Sequence, residues 1–182
     1  MMRVLVPLAD GFEEIEAVTV IDVLRRGGIE VVSAALGDNR SVAGSRGVTL
    51  LADAIWDELE IDSFDAITLP GGGVGTENLA ADRRVIAAVR SFAEADKFVT
   101  AICAAPTVLA QAGVLKGRRA TCYPACADAL GQAYDDAPVI ADGRIITSQG
   151  PGTAMLFALV LIQHFADEVT ARKVADGLLA AF

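Results

Sequence analysis

With 182 residues and a formal net charge of −9, the chain is long enough to bury a core without disulfides or metals, and it lacks the concentrated basic face that nucleic-acid binding requires. Hydrophobic residues make up 53% and charged residues 21%, which excludes disorder, and the apolar runs are too short and too often interrupted to read as membrane spans. Three cysteines and one histidine supply neither a disulfide framework nor a tetrahedral zinc set, because Cys122 and Cys126 have no second pair.

The opening "MMRVLVPLADGFEE" has one early arginine, a strand-length apolar run and then acids. It lacks the longer apolar region and small-residue cleavage site of a signal peptide, so a cytoplasmic setting is expected. Within it "RVLVPLA" reads as a strand. "GFEEIEAVTVIDVLRRGG" follows with helical periodicity, acids in its first turn, arginines in its last and a Gly-Gly stop. "IEVVSAAL" is a second strand, which completes a βαβ unit. "SVAGSRGVTLLAD" predicts two short strands around a Gly-Ser turn, an antiparallel excursion. "FDAITLPGGG" is an apolar strand that runs into glycines, and "RRVIAAVRSFAEADK" is an amphipathic helix. Next come the strand "FVTAIC", the helix "APTVLAQAGVL", a short element at "RATCY" and a hairpin-like pair in "PVIADGRIITSQG". The helices "TAMLFALVLIQHFADE" and "VTARKVADGLLAAF" close the chain.

Strands that alternate with helices and are apolar on both faces predict one α/β domain over residues 1–182. The expected architecture is a three-layer sandwich with a mostly parallel central sheet flanked by helices. Ligands in such sheets bind beyond the carboxyl ends of the strands. That rule gathers the segment from Asp10 to Glu16, "LPGGG" and "AICAAP" at one edge.

Cys103 ends an apolar strand, is followed by Ala104 and Ala105, and precedes a helix. Free N–H groups and the positive end of the helix dipole would lower a thiol pKa there, in the outline of a nucleophile elbow. A free cysteine is also a common buried small hydrophobe, and the pattern leaves both readings open. Glu16 shares a helical stripe with Val20 and Val23, so it is either a carboxyl buried on an apolar face with a raised pKa or an exposed acid at the helix start. Glu13 and Glu14 are expected to face solvent or the helix N-terminus. "PGGGVG" matches no nucleotide loop; it is a turn, or a source of backbone N–H groups for an oxyanion. His164 lies deep in a late helix and reads as structural. Arg25, Arg26 and Arg46 read as surface charges, with Arg46 on a tight turn where it can meet an anion.

Together "LADGFEEIEAVTVIDVLRRGGI", "LPGGGVGTENL", "AICAAPTVLA" and "ITSQGPGTAMLFAL" resemble the ThiJ/PfpI superfamily, in the branch of the parkinsonism-associated protein deglycase and its bacterial ThiJ/YajL relatives. The resemblance runs in order over nearly the whole chain. It implies a flavodoxin-like, class I glutamine amidotransferase-like sandwich that acts without a cofactor or metal. It further implies that Cys103 is the nucleophile and that Glu16 is a protonated carboxyl donating a hydrogen bond to its sulfur. Backbone amides of Gly71, Gly72 and Ala104 would serve the oxyanion. Arg46, and Arg26 from a partner subunit, would bind anions, and the chain would form a homodimer with its first helix near the interface. One position departs from the family: Tyr123 of "TCYPA" stands where relatives often carry a histidine, so no Cys–His protease dyad can form there and proteolysis is not expected.

The activity so implied is a deglycase or glyoxalase-type conversion of methylglyoxal, glyoxal and their early protein adducts to hydroxy acids. Its partners would be small aldehydes and glycated proteins, with neither membrane nor nucleic acid. The alternatives are a redox-sensing stress protein or chaperone whose Cys103 oxidises to sulfinate, and a thiamin-pathway protein without this catalysis.

Overall fold

A computed structural model describes residues 2–182. Nine strands and seven helices follow in the order β1 (Arg3–Leu8), α1 (Glu14–Arg26), β2 (Glu30–Ala35), β3 (Ser41–Ala43), β4 (Thr49–Leu51), β5 (Ala54–Ile55), β6 (Ala66–Leu69), α2 (Gly73–Ala81), α3 (Arg83–Glu94), β7 (Phe98–Ile102), α4 (Pro106–Ala112), α5 (Ala127–Leu130), β8 (Val139–Asp142), β9 (Ile145–Ser148), α6 (Ala154–Phe165) and α7 (Glu168–Leu178). Seven strands form one sheet in the order β5-β2-β1-β6-β7-β9-β8. Every pairing in it is parallel except β8 with β9. β3 and β4 form a separate antiparallel pair.

Period-two alternation divides the strands between two cores. On β1, Val4, Val6 and Leu8 enter the cluster under α1, α6 and α7, whereas Leu5 enters the one under α2, α3 and α4. On β7, Phe98 and Ile102 face the first cluster and Val99 and Ala101 the second. Strands apolar on both faces are therefore sandwiched between helices, as the sequence pattern predicts. Among the described residues no helix is long and apolar enough to cross a membrane.

Two readings need correction. "RATCY" forms no named strand; only an isolated bridge joins Ala120 to Tyr134. The glycines after "LP" do not end in a plain turn, because α2 begins at Gly73, with Gly72 at its N-cap in a left-handed conformation (φ 93°). Glycine-rich openings depress helix propensity, and here tertiary contacts override it.

Candidate active site

The carboxyl ends of β1, β6 and β7 lie side by side in the sheet, and backbone bonds knit together the loops that leave them. Glu13 N–H donates to Gly71 O at 3.0 Å, and Gly75 N–H donates to Gly11 O at 3.0 Å. The three segments gathered by the sequence reading do meet. Cys103 stands at the centre of this edge, directly after β7, and is one of three non-glycine residues with positive φ (64°) among the described residues. A cysteine in the left-handed region is strained and must be held by its surroundings. Its N–H donates to Ser148 O at 2.9 Å, and its carbonyl accepts from Tyr123 N–H at 2.8 Å. The side chain is half-buried.

Glu16 is wholly buried, on the α1 stripe with Val20 and Val23. The buried-carboxyl reading therefore holds, and the exposed alternative falls away. Its Oε2 accepts from Gly71 N–H at 2.8 Å. Its Oε1 is buried without a hydrogen bond of good geometry, and the neighbouring polar group felt in its titration is the Cys103 thiol. Burial pushes the Glu16 carboxyl up to about 7, against the opposing pull of the thiol and the Gly71 amide.

The expectation of a low-pKa thiol is overturned. Burial, and after it the negative charge and hydrogen bonding of Glu16, push Cys103 up to about 12. The amides of Gly72 and Ala104 act in the opposite sense and favour the thiolate, but they do not prevail. The reason is physical: taking a thiolate out of water costs most, and the facing carboxylate adds a whole charge to that cost, while a helix N-terminus offsets only a fraction of one. Cys103 and Glu16 thus behave as one site that readily carries a single negative charge and resists a second.

Two of the three expected amides, those of Gly72 and Ala104, are felt by the Cys103 sulfur and favour its thiolate. The third does not, because Gly71 N–H is committed to Glu16. Gly71 serves instead by having no side chain: a Cβ there would lie 2.6 Å from Cys103 Cβ and 2.7 Å from Glu16 Oε2.

The arginines lie outside this cluster. Arg46 is exposed on the β3–β4 turn, and its amide, rather than its guanidinium, is the group engaged, donating to Glu14 Oε1 at 2.6 Å. Arg26 ends α1, roughly 15 Å along the helix axis from Glu16, and pairs with Asp22 at 2.8 Å. Within one chain it does not reach the thiol. His164 is exposed in the last turn of α6, bonded to Val160 O. Cys122 is buried in the core, and Cys126 packs against the same cluster. Among the described residues no group of three or more His, Cys, Asp or Glu is placed to hold a metal.

Sequence reasoning missed Glu14. It does not face solvent; it is buried and accepts from Ser45 Oγ (3.0 Å), Arg46 N–H (2.6 Å) and Val48 N–H (3.3 Å). Burial alone would raise its pKa, but these donors outweigh it and hold the carboxyl below its ordinary value. No local signal links an acid at a helix start to a turn some thirty residues onward.

The chain matches the model of the DJ-1/PfpI family over residues 2–164. Protein DJ-1 homolog B of Arabidopsis thaliana is 45% identical over 165 residues, which is 90% of this chain and 38% of that longer protein. The chain thus spans less than half the length of the Arabidopsis relatives it matches. Deglycase TK1284 of Thermococcus kodakarensis is 35% identical over 154 residues, covering 83% of this chain and 92% of that protein. The solved structure of oxidized DJ-1 from Toxoplasma gondii is similar with a TM-score of 0.97 at 38% identity, covering the whole of both chains.

Proposed function

The chain belongs to the DJ-1/PfpI family, and from that premise we propose that it is a cysteine-dependent, cofactor-independent enzyme converting methylglyoxal or glyoxal, and their early adducts on protein thiols and amines, to lactate or glycolate. The observation that carries this reading is the buried Glu16 carboxyl beside Cys103, held to a pKa of about 7. A carboxyl tuned to neutrality can give and take a proton within one turnover.

The Cys103 sulfur adds to the aldehyde carbon of methylglyoxal, the negative charge develops on the hemithioacetal oxygen beside the Gly72 and Ala104 amides, and the proton shared by Cys103 and Glu16 passes to that oxygen, which leaves Glu16 as the carboxylate. Glu16 removes the proton from that carbon and returns one to the adjacent carbon, which converts the adduct to the lactate thioester. Water cleaves the thioester, releasing lactate and restoring the thiol; overall one methylglyoxal and one water become one lactic acid. The name of the Thermococcus relative is consistent with such chemistry.

The test is lactate formation from excess methylglyoxal by wild type and by Cys103→Ser. Many turnovers per chain, abolished by the substitution, are the expected result. Lactate below one equivalent in both would refute the enzyme reading.

A second reading is favoured by the oxidized state of the Toxoplasma relative. Here Cys103 is a sensor: two peroxide molecules oxidise the thiolate to sulfinate and leave two waters, with Glu16 donating a hydrogen bond to the product. Dilute peroxide should add two oxygens to Cys103 in preference to Cys122 and Cys126, and equal modification of all three would count against it.

We also propose a homodimer. Exposed Ile15 and Val18 share a face of α1, and exposed Val48 and Leu51 lie on the hairpin that Glu14 binds to that helix. Apolar side chains so grouped mark an interaction surface. Arg26 would join an anion site only from the second copy.

A further inference from the structure

The two bonds that hold Cys103 in its strained conformation come from different loops, Tyr123 N–H on its carbonyl and Ser148 O on its amide. The Tyr123 ring bridges those loops. It is the group that lies over Gly150, where an added Cβ would sit 3.4 Å from ring Cδ2 and 4.0 Å from Cε2. In the parallel register Ile102 pairs with Ser148, so the segment that carries Gly150 leaves β9 at the same edge of the sheet where Cys103 leaves β7. β6 and β9 flank β7 on opposite sides. Glu16 and Gly71 therefore close the thiol on the β6 side, and the Tyr123 ring stands on the β9 side. It is 47% exposed, the most exposed aromatic side chain among the described residues, so a face of the ring is open to pack against a bound molecule.

We propose that the Tyr123 ring is the outer wall of the carbonyl pocket and the residue that determines specificity, restricting the group on the dicarbonyl to about the size of a methyl. This rests on the reading of Cys103 as a carbonyl-directed nucleophile. The ring acts by shape: its face packs on a hydrogen or methyl and excludes larger groups. Its hydroxyl takes no part. The elbow is held by the backbone of residue 123, so truncating the ring leaves the nucleophile in place.

The experiment compares wild type, Tyr123→Phe and Tyr123→Ala for lactate formation from methylglyoxal and mandelate formation from phenylglyoxal. Tyr123→Ala should raise the phenylglyoxal-to-methylglyoxal ratio of kcat/KM about tenfold, mainly through KM, while Tyr123→Phe stays within about twofold of wild type. A ratio unchanged in Tyr123→Ala, with both activities lowered equally, would mean a merely structural ring and would overturn the proposal. If wild type turns over neither compound, the functional reading fails on its own, and a second measurement decides for the wall: alkylation of Cys103, located by mass spectrometry, with iodoacetamide and with the bulkier iodoacetanilide. Tyr123→Ala should then favour the bulky reagent by about tenfold relative to wild type, and equal selectivity would overturn the proposal.

Discussion

Glu16 sits in the fold at a cost that depends on pH, and the sign follows from its titration. Folding raises this carboxyl from 4.5 to about 7, so the native state binds the proton more tightly than the unfolded chain does. Its favourable contribution is full below pH 4.5 and is lost as pH rises through about 7, a change of about 3 kcal/mol. Glu16→Gln keeps an acceptor for the Gly71 amide and cannot ionise. Urea unfolding should find this variant more stable than wild type at pH 8 by up to about 3 kcal/mol and equal to it near pH 4. Equal stability at both pH values would show that the burial penalty is absent. Cys103 and Glu16 stood out in the sequence as candidates, one from its place between strand and helix and the other from its stripe with Val20 and Val23, while the pattern left a plainer reading open for each. The direction of the thiol shift was not legible, because it depends first on burial in the folded chain and then on a carboxylate brought alongside from 87 positions earlier.

At the scale of elements, the β3–β4 hairpin is fastened to the first turn of α1 by the Glu14 carboxylate, two residues before Glu16. Further bonds join Gly11 N–H to Ala43 O at 2.7 Å and Ser45 N–H to Phe12 O at 2.8 Å. Gly44 makes this closeness possible, since a Cβ there would lie 2.5 Å from the Glu14 carboxyl carbon. In Glu14→Gln an amide N–H₂ would confront some of these donors, and the variant should lose about 2 kcal/mol of stability. Hydrogen exchange should quicken first at Arg46 and Val48; unchanged protection of those amides would refute the clamp. Because the folded pKa of Glu14 is lowered, its contribution is present above the unfolded value and fades as pH falls through the folded one, the opposite of Glu16. The hairpin strands themselves were readable from their alternation around "AGSRG". Their anchor was not, and neither was α2, which opens on glycines that favour a turn until the loop after β1 packs on them through Gly75 and Gly11.

For the whole molecule, two cores on opposite faces of one sheet account for helices on both sides, and the strand patterns announce that arrangement without help. What they leave unannounced is the use of the remaining surface. Ile15, Val18, Val48 and Leu51 form no part of either core, yet all four are exposed. If they are the dimer face, Val18→Glu with Leu51→Glu should sediment as a monomer at concentrations where wild type is a dimer, with an unchanged circular dichroism spectrum. A wild type that remains monomeric at every concentration would remove the dimer, and with it the role of Arg26 in the site.

The account stands on Cys103 and Glu16 sharing one proton, and the rate of Cys103 alkylation by iodoacetamide against pH tests that most directly. In wild type the rate should rise about tenfold per pH unit up to about pH 7, where the pair loses its first proton, and then level off. In Glu16→Gln it should climb through pH 7 without a break. Superimposable curves, or a wild-type curve that climbs unbroken to the value of 9.0 of an ordinary thiol, would contradict it.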